Sequence, residues 1–507
     1  MAPKEVFDLG TIQINNLSFK YDQMVDNLFN NINLSIDESW KLGLIGRNGR
    51  GKTTLLNILL GNLEYQGQVV SNLNFHYYPQ PVPDMSKTTK EIVLEISGLA
   101  DYDIWRVETE LEKLQVSLDI LDQQFETLSP GERTKVLLAV LFIDDDGFQL
   151  IDEPTNHLDI DGRKLVSDYL RTKKGFIVIS HDRNFLNEII DHVISINRND
   201  IDVYKGNFDT WEHEKNLQDT YEADQKRQLT KDINKLHDSA VKKENWSRQT
   251  EKGKKKNISM DKHANLDKGF IGAKSAKMMK KAKSMQHRVE DSLNTKKTLL
   301  KNIEIDDPIS LNYAEISHLK NLIEVNDLLL KNRNVETPKV SFKLPRNHVL
   351  ALMGRNGIGK TTIFKQILGI AQPFECSGSI VVPSSVKISY LAQEYDLHGT
   401  IRELAERKQV EPEMVFSNLR KLGFERELFD NNIEEMSQGQ KRKVALAVSL
   451  SEQANLYLWD EPFNYLDVIT RDQIVDAIHK QHPTMLIIDH DLGLIDEIAD
   501  QKLILKK

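Results

Sequence analysis

Two nine-residue stretches of this sequence carry glycines, a lysine and a threonine at the spacing of a phosphate-binding loop. Residues 46–54 read GRNGRGKTT and residues 354–362 read GRNGIGKTT. The glycines of such a loop let consecutive backbone N–H groups face phosphate oxygens. The lysine adds charge near the β- and γ-phosphates, and the threonine after it can ligate Mg²⁺. The predicted phosphate-binding residues are Gly46, Asn48, Gly49, Gly51, Lys52, Thr53 and Thr54 in the first loop, and Gly354, Asn356, Gly357, Gly359, Lys360, Thr361 and Thr362 in the second.

Five further stretches follow each loop in the same order. YPQ corresponds to LAQ, LSPGE to MSQGQ, FQLIDEP to LYLWDEP, NHLD to NYLD, and IVISHD to LIIDHD. Most of these features are displaced by 308 positions and the histidines by 309. A fixed displacement of this kind indicates a tandem duplication. Each half also reads as strand, loop and helix around its phosphate loop, which is typical of an α/β fold.

The acidic pair at the end of the DEP-containing strands could support hydrolysis of a bound nucleotide. Asp152 and Asp460 would hold Mg²⁺ through water, and Glu153 and Glu461, one residue later, would orient the attacking water. Histidines follow the next apolar strand of each half. The predicted catalytic residues are Glu153, Glu461, His181 and His490.

The composition favours a cytoplasmic protein. A single cysteine, Cys376, excludes a disulfide framework, the N-terminus lacks the apolar core of a signal peptide, and no apolar run is long enough to span a bilayer. The net charge is −9, but the window 242–283 holds 14 Lys or Arg against 4 Asp or Glu. This basic window on an acidic chain requires its own explanation.

The stretch between the halves predicts an antiparallel pair of helices. Apolar residues recur at helical spacing from Leu229 to Ala240 and again from Met278 to Leu293. We predict domains at 1–210 and 319–507, a helical linker at 211–318, and a basic tip at about 244–270. The tip is either a solvated charged hairpin or a nucleic-acid probe with lysines on phosphates and aromatics on bases. The residues assigned to such a probe are Lys242, Lys243, Trp246, Arg248, Lys254, Lys255, Lys256, Phe270 and Lys274.

The order of these motifs resembles the ATP-binding cassette family, with two cassettes in one polypeptide. The resemblance implies two tandem ABC-type nucleotide-binding domains of the P-loop NTPase class, joined by a long α-helical hairpin. It implies ATP and Mg²⁺ as cofactors and an intramolecular pair of composite sites. Ser437 and Gly439 would complete the site on Lys52, and Ser129 and Gly131 the site on Lys360. The Mg²⁺ ligands implied are Thr53, Gln80, Asp152, Thr361, Gln393 and Asp460, the D-loop aspartates are Asp159 and Asp467, and the residue stacked on adenine is Tyr21.

Three residues differ from the family pattern, and each belongs to the site on Lys360 or to the second cassette. The position aligned with Tyr21 is Asn332. In LSPGE, the signature motif of the first cassette, Pro130 stands where the family usually has glycine. Asp489 replaces the usual serine before His490. Proline removes a backbone N–H that could face a phosphate. These differences predict unequal turnover at two sites that both keep their glutamate and histidine.

Two cassettes joined by a basic helical linker resemble the ABC-F proteins, and phrases such as LIDEPTNHLD and IGAKSAKMMKKAK resemble their Lsa-type antibiotic-resistance members. The resemblance implies a monomeric ATPase that binds the bacterial 70S ribosome at the exit-tRNA site. Its linker would reach along 23S rRNA toward the P-site tRNA and the drug pocket. Lincosamides, pleuromutilins and streptogramin A compounds are the implied drugs. The alternatives are a housekeeping ABC-F translation factor, an ATPase subunit of a membrane exporter, and a DNA-processing ATPase.

Overall fold

The computed structural model describes residues 10–22, 27–143, 147–156, 158–197, 200–218, 308–331, 336–370, 374–393, 397–424 and 426–506, with isolated positions between 219 and 307. Contacts divide the chain into one unit of residues 1–209 and 306–507 and a second of residues 210–305. The first unit contains a first cassette, residues 10–209, and a second cassette, residues 308–506.

Little of the second unit lies within the described residues. Residues 210–218 are helical there. The two predicted apolar seams, the tip at 244–270 and all nine residues assigned to the nucleic-acid probe lie outside the described residues. The boundaries predicted for the three domains therefore stay a prediction.

The first cassette alternates strands and helices after an initial antiparallel pair. Its strands are β1 (Thr11–Phe19), β2 (Phe29–Asp37), β3 (Lys41–Gly46), β4 (Gln66–Val70), β5 (Asn74–Tyr78), β6 (Gly147–Asp152), β7 (Phe176–Ile179), β8 (His192–Ile196) and β9 (Ile201–Lys205). Its helices are α1 (Lys52–Leu59), α2 (Thr89–Ser97), α3 (Trp105–Lys113), α4 (Pro130–Leu141), α5 (Ile160–Arg171) and α6 (Arg183–Ile189).

The second cassette repeats this order. Its strands are β10 (Asn321–Lys331), β11 (Val340–Pro345), β12 (Val349–Met353), β13 (Glu375–Val381), β14 (Ile388–Leu391), β15 (Leu456–Asp460), β16 (Met485–Ile488) and β17 (Gln501–Ile504). Its helices are α7 (Lys360–Ile367), α8 (Ile401–Arg407), α9 (Pro412–Lys421), α10 (Gln438–Ser451), α11 (Val468–Gln481) and α12 (Leu492–Ile498).

Each cassette has one mainly parallel sheet that carries the phosphate loop. The strand order is β5-β6-β7-β3-β8-β9 in the first cassette and β14-β15-β16-β12-β17 in the second, and β9 alone runs antiparallel. Strands such as β7 and β16 are buried along their whole length, because parallel strands covered on both faces are continuously apolar. The phosphate loops, the acidic pairs and the histidines all follow carboxyl ends of these strands, so the sheet brings them to one edge.

The signature motifs begin helices. Ser129 and Ser437 are the N-caps of α4 and α10, and each forms a capping box with the residue three positions later. Pro130 occupies the first turn of α4, where a helix needs no N–H donor. None of the helices within the described ranges is both long and apolar enough to cross a bilayer.

Candidate functional site

The first phosphate loop holds its lysine over its own backbone. Gly51 has a φ of 91°, a left-handed conformation, and a Cβ there would lie 2.8 Å from the Phe29 ring. Glycine is therefore required at this turn. Lys52 Nζ donates to the Gly46 carbonyl at 2.6 Å and to Asn48 Oδ1 at 3.2 Å. Burial lowers the pKa of Lys52, while nearby carboxylates act to raise it.

The second phosphate loop repeats this geometry. Gly359 has a φ of 102°, and a Cβ there would collide with the Thr337 side chain. Lys360 Nζ donates to the carbonyls of Gly354 at 2.7 Å and Arg355 at 3.1 Å. Both lysine ammonium groups thus lie against carbonyls of their own loops, and a phosphate bound in the loop would accept their hydrogens.

A hydroxyl and a carboxylate lie together beside each lysine. Thr53 Oγ1 donates to Asp152 Oδ2 at 2.9 Å, and Thr361 Oγ1 donates to Asp460 Oδ2 at 2.7 Å. Asp460 Oδ1 is buried without a hydrogen-bond partner among the described residues. Burial raises the pKa of Asp460 to about 6. A buried carboxylate oxygen that lacks a partner, next to a hydroxyl oxygen, suits a divalent cation.

The two predicted glutamine ligands occupy different surroundings. Gln393 lines the cavity on Lys360 and its Nε2 donates to Glu461 at 3.1 Å. Gln80 lines a separate cavity of about 160 Å³, and its buried Oε1 has no hydrogen-bond partner among the residues described. The Tyr77 hydroxyl donates to Asp152 Oδ2 at 3.2 Å, so that oxygen already receives two hydrogens. The structure therefore brings Gln393, and not Gln80, to its cavity.

Both predicted catalytic glutamates have a left-handed backbone. Glu153 has a φ of 55° and Glu461 a φ of 51°. Their backbone amides donate to the carbonyls of Ile179 at 2.9 Å and Ile488 at 2.8 Å. Strain of this kind in a non-glycine residue persists where surrounding contacts enforce it, and it concentrates at functional sites.

The glutamate and histidine are closer together in the first site than in the second. His181 Nε2 lies 3.0 Å from Glu153 Oε1, whereas His490 Nε2 lies 3.6 Å from Glu461 Oε1. Burial acts to raise the pKa of Glu153, but His181 holds it below its ordinary value. In contrast, burial and then the Asp489 carboxylate raise the pKa of Glu461.

His490 is neutral at physiological pH. Burial, and after it the Lys360 ammonium, lower the pKa of His490 to about 4. Neither ring nitrogen of His490 has a hydrogen-bond partner within the described ranges. A neutral imidazole has one donor and one acceptor, so it can donate to an anion that enters the cavity.

Each phosphate loop faces the signature of the other cassette. A cavity of about 330 Å³ is lined from the first cassette by Asn48, Gly49, Lys52, Thr53, Asp152, Glu153 and His181, and from the second by Ser437, Gly439, Gln440, Lys443 and Tyr465. A cavity of about 540 Å³ is lined by Asn356, Gly357, Gly359, Lys360, Thr361, Thr362, Gln393, Glu461 and His490 and by Ser129, Pro130, Gly131, Lys135, Asp159 and Arg163 of the first cassette. Both cavities fall in the size range of small-molecule sites.

The two D-loop aspartates make different contacts. Asp467 Oδ2 accepts the Asn48 backbone amide of the first cassette at 3.0 Å, while its Oδ1 caps α11 through Thr470. Asp159 caps α5 through the Gly162 amide at 2.9 Å and lines the Lys360 cavity. Burial acts to raise the pKa of Asp467, but Lys443, the Asn48 amide and Lys52 lower it to about 2.

Arg471 is buried and connects the two histidine segments, while Arg163 is half-buried and pairs within the first cassette. Arg471 donates to the His181 carbonyl of the other cassette at 2.6 Å and pairs with Asp491 at 3.3 Å. Arg163 pairs with Asp182 at 2.8 Å. Paired buried charges of this kind fix geometry, because removal of one partner leaves the other unpaired.

Tyr21 lies beside the first phosphate loop without lining its cavity. Its hydroxyl and that of Thr54 are 3.0 Å apart, and its ring meets the edge of Phe19 with centroids 4.8 Å apart. Tyr21 is 39% exposed, so the residue is accessible to a ligand. Asn332, the aligned position, lies outside the described residues. Phe374 is the aromatic residue that lines the Lys360 cavity.

The sequence prediction missed Arg442. Its guanidinium lies under the second acidic pair and donates to the carbonyls of Ala392 at 2.7 Å, Asp460 at 2.7 Å, and Glu461. The corresponding position in the first cassette is Thr134, whose hydroxyl bonds the Pro130 carbonyl within its own helix. Burial lowers the pKa of Arg442 to about 10. The threonine-to-arginine difference between two otherwise similar signature helices was the signal in the sequence.

Comparison with known proteins supports the cassette geometry. The sequence profile of a family described as ABC transporter matches residues 29–156 and 338–464. The chain is 27% identical to the ribosome protection protein VmlR of Bacillus subtilis (strain 168), over 97% of this chain and 86% of that protein. It is also 27% identical to the erythromycin resistance ATP-binding protein MsrA of Staphylococcus epidermidis, over 96% of this chain and 97% of that protein.

A solved structure shares the fold. The archaeal ribosome recycling factor aABCE1, in its complex with the archaeal ribosomal stalk protein aP1, superposes with a TM-score of 0.62 at 20% identity, over 97% of this chain and 87% of that chain. The α/β fold of two tandem nucleotide-binding domains predicted from the sequence is thus confirmed.

Proposed function

The chain belongs to the ABC transporter family and is an ATPase that resembles the ABC-F proteins, and from this premise we propose that it protects the bacterial ribosome from antibiotics. With ATP bound, it would bind the 70S ribosome at the exit-tRNA site. The linker would then reach toward the peptidyl-transferase centre and relieve inhibition by large-subunit antibiotics. The observation that carries the proposal is the similarity to VmlR over 97% of the chain, a span that includes the stretch between the cassettes.

Each ATP would be bound between a phosphate loop and the opposite signature. In the first site, Lys52 and the loop amides would hold the β- and γ-phosphates, and Ser437 and Gly439 would contact the γ-phosphate from the other cassette. The lining of the 330 Å³ cavity supports this assignment. Because each site needs both cassettes, bound ATP would stabilise the closed pair and hydrolysis would release it.

Glu153 and Glu461 would orient the water that attacks the γ-phosphorus. His181 and His490 would donate to the γ-phosphate oxygens, since an imidazole N–H beside a carboxylate is a suitable donor. Both pairs line the cavities that contain the phosphate-loop lysines.

The residues beside the lysines fit Mg²⁺. Thr361 and Asp460 would hold it in the second site, where Asp460 Oδ1 has no hydrogen-bond partner among described residues. Thr53 and Asp152 would do so in the first site. The chemistry that Mg²⁺ supplies when bound is neutralisation of charge on the phosphate oxygens.

The basic linker would provide the contact with nucleic acid. Fourteen Lys or Arg between 242 and 283 favour binding to rRNA phosphates, and Trp246 and Phe270 would stack on bases or approach the P-site tRNA. The length and bulk of the tip at 244–270 would determine which lincosamides, pleuromutilins or streptogramin A compounds are countered. We infer that the protein works as a cytoplasmic monomer, since its two cassettes complete both sites within one chain.

Co-sedimentation tests the ribosome proposal. The double variant Glu153→Gln, Glu461→Gln should bind ATP without hydrolysing it, and we expect it to pellet with bacterial 70S ribosomes when ATP is present. The same variant shortened between residues 242 and 283 should bind ATP and stay in the supernatant. If the full-length double variant binds ATP and does not pellet, the ribosome proposal is wrong.

Drug susceptibility separates protection from a housekeeping role. Expression of the unchanged chain in a susceptible strain should raise the inhibitory concentration of at least one of the three drug classes. The double variant should not raise it. Ribosome binding with no change in susceptibility to any class would favour a housekeeping translation factor.

A further inference from the structure

Tyr465 enters the first ATP site from the opposite cassette. It lies in the D-loop of the second cassette, between Asp460 of β15 and the start of α11, and it lines the 330 Å³ cavity together with Lys52 and Glu153. The side chain is half-buried.

The backbone of Tyr465 is fixed against the first phosphate loop. Its carbonyl accepts a hydrogen bond of 2.9 Å from Asn48 Nδ2, and the Asn48 amide donates to Asp467 two residues further on. Tyr465 also has a φ of 63°, a left-handed conformation that is uncommon for an aromatic residue. A strained residue held by contacts from another cassette is a candidate for function.

The hydroxyl of Tyr465 is available to a ligand. Among the described residues it makes no hydrogen bond, although the carbonyl of the same residue is bonded. The pKa of this phenol is raised, mainly by burial. Arg442 acts to lower it, and the negative charges of Glu461 and Glu153 act to raise it. The group therefore stays a neutral O–H donor at physiological pH.

We propose that the Tyr465 hydroxyl is a catalytic hydrogen-bond donor, supplied by the second cassette to the ATP site on Lys52. It would donate to a γ-phosphate oxygen of ATP bound between Lys52 and Ser437. The proposal rests on the assignment of this cavity as an ATP site and is independent of ribosome binding.

The donor would act on charge that forms during hydrolysis. The water oxygen forms a bond to the γ-phosphorus, the bond from that phosphorus to the bridging oxygen breaks, and the bridging oxygen leaves with ADP. The water's proton passes to Glu153. A donor held in place before the reaction lowers the barrier, because it needs no reorganisation as charge develops. Because Tyr465 comes from the partner cassette, hydrolysis at this site would require closure.

Single-turnover hydrolysis tests the proposal. In a Glu461→Gln background the Lys52 site alone keeps its glutamate, and in a Glu153→Gln background the Lys360 site alone does. We expect Tyr465→Phe to slow phosphate formation about tenfold in the first background, with little change in the ATP concentration for half-maximal rate. The loss should be confined to that background.

Two further variants separate chemistry from packing. Tyr465→His places another neutral donor at the position and should recover part of the rate that Tyr465→Phe loses. Tyr102→Phe, at an exposed residue outside both cavities, should leave the rate unchanged. Three results would overturn the proposal. They are an unchanged rate for Tyr465→Phe in the Glu461→Gln background, an equal fall in rate in both backgrounds, and a change only in the ATP concentration for half-maximal rate. If the Glu461→Gln protein binds no ATP at Lys52, the site assignment itself fails.

Discussion

The backbone amide of Asn48 donates a 3.0 Å hydrogen bond to the Asp467 carboxylate, 419 positions away along the chain. This bond joins the phosphate loop of one cassette to the D-loop of the other. The Asn48 side chain reinforces it through the Tyr465 carbonyl. The first phosphate loop is thus tied to the D-loop of the second cassette through one asparagine and one aspartate.

Removal of this carboxylate should weaken closure. In Asp467→Ala the Asn48 amide loses its acceptor, α11 loses its cap, and Lys443 loses a nearby negative charge. We expect ATP turnover to fall about tenfold, since charge-assisted hydrogen bonds of this kind contribute about 1.5–3 kcal/mol. Steady-state ATPase assays measure this. Asp168→Ala removes an exposed carboxylate of α5 and should leave turnover unchanged. Equal rates for the two variants would contradict the coupling.

A buried carboxylate in the first cassette should make stability depend on pH. Glu110 pairs with Lys113 at 2.7 Å, and it also contacts Lys173 and Tyr169. Burial acts to raise its pKa, but Lys113, Lys173 and Tyr169 hold it below the ordinary value of 4.5. Its contribution to the free energy of unfolding is therefore present above about pH 4.5 and is lost as the pH falls below it.

Glu110→Gln should remove that pH dependence and lower the stability of the first cassette by about 2 kcal/mol at neutral pH. Thermal unfolding of the full chain between about pH 2.5 and pH 7 measures both effects. Glu112→Gln, at an exposed position two residues away, is the matched control. If both variants show the same melting temperature at neutral pH, the buried pair is not stabilising.

Arg442 should support the second site alone. Arg442→Thr reproduces the first cassette's Thr134 and leaves the carbonyls of Asp460 and Glu461 without this donor. Since Glu461 has a left-handed backbone, loss of the contact should release it and slow hydrolysis at the Lys360 site. Single-turnover assays in a Glu153→Gln background measure the change, which we expect to be about tenfold. Lys441→Thr, one residue earlier, changes a half-buried side chain of α10 whose ammonium donates to the Glu434 carbonyl, away from the acidic pair, and is the control.

Local sequence was enough to predict the site's recurring parts. The spacing in GRNGRGKTT dictates a strand, a turn that needs glycine and a helix, and Gly51 and Lys52 adopt those conformations. The loop features depend on short-range geometry, and they recur because the pattern is duplicated. The placement of Ser437 opposite Lys52 was instead predicted from the resemblance to the ATP-binding cassette family.

The remaining features depend on packing that no local pattern encodes. Gln80 does not line the cavity on Lys52, and the Tyr77 hydroxyl donates to Asp152 there, an arrangement that the YPQ motif does not encode. The contact between Asn48 and Tyr465 joins two cassettes, so neither residue's own motif encodes it. The two halves share their motifs but not these neighbours, so equal motifs do not imply equal sites.

Asp489 should slow the second site, and exchange with Ser180 tests this. Asp489 Oδ1 accepts the amides of His490 at 2.7 Å and Asp491 at 2.9 Å, while its buried Oδ2 lacks a hydrogen-bond partner in the described part of the chain. Ser180 Oγ makes the corresponding contact to Asp182 at 3.2 Å without a charge. Serine can therefore preserve the turn at 489 and remove a buried negative charge that would repel the γ-phosphate.

We accordingly expect Asp489→Ser to speed single-turnover hydrolysis at the Lys360 site severalfold, because about 1 kcal/mol of removed repulsion is a fivefold change in rate. The reciprocal Ser180→Asp should slow the Lys52 site by a similar factor. Each is measured in the background where the opposite glutamate is glutamine. If Asp489→Ser instead slows hydrolysis at the Lys360 site, the Asp489 carboxylate holds His490 in its reactive position. Loss of that carboxylate would then have the same effect as His490→Ala. The paired exchange distinguishes these roles, since a charge effect reverses between the two sites and a positioning effect does not.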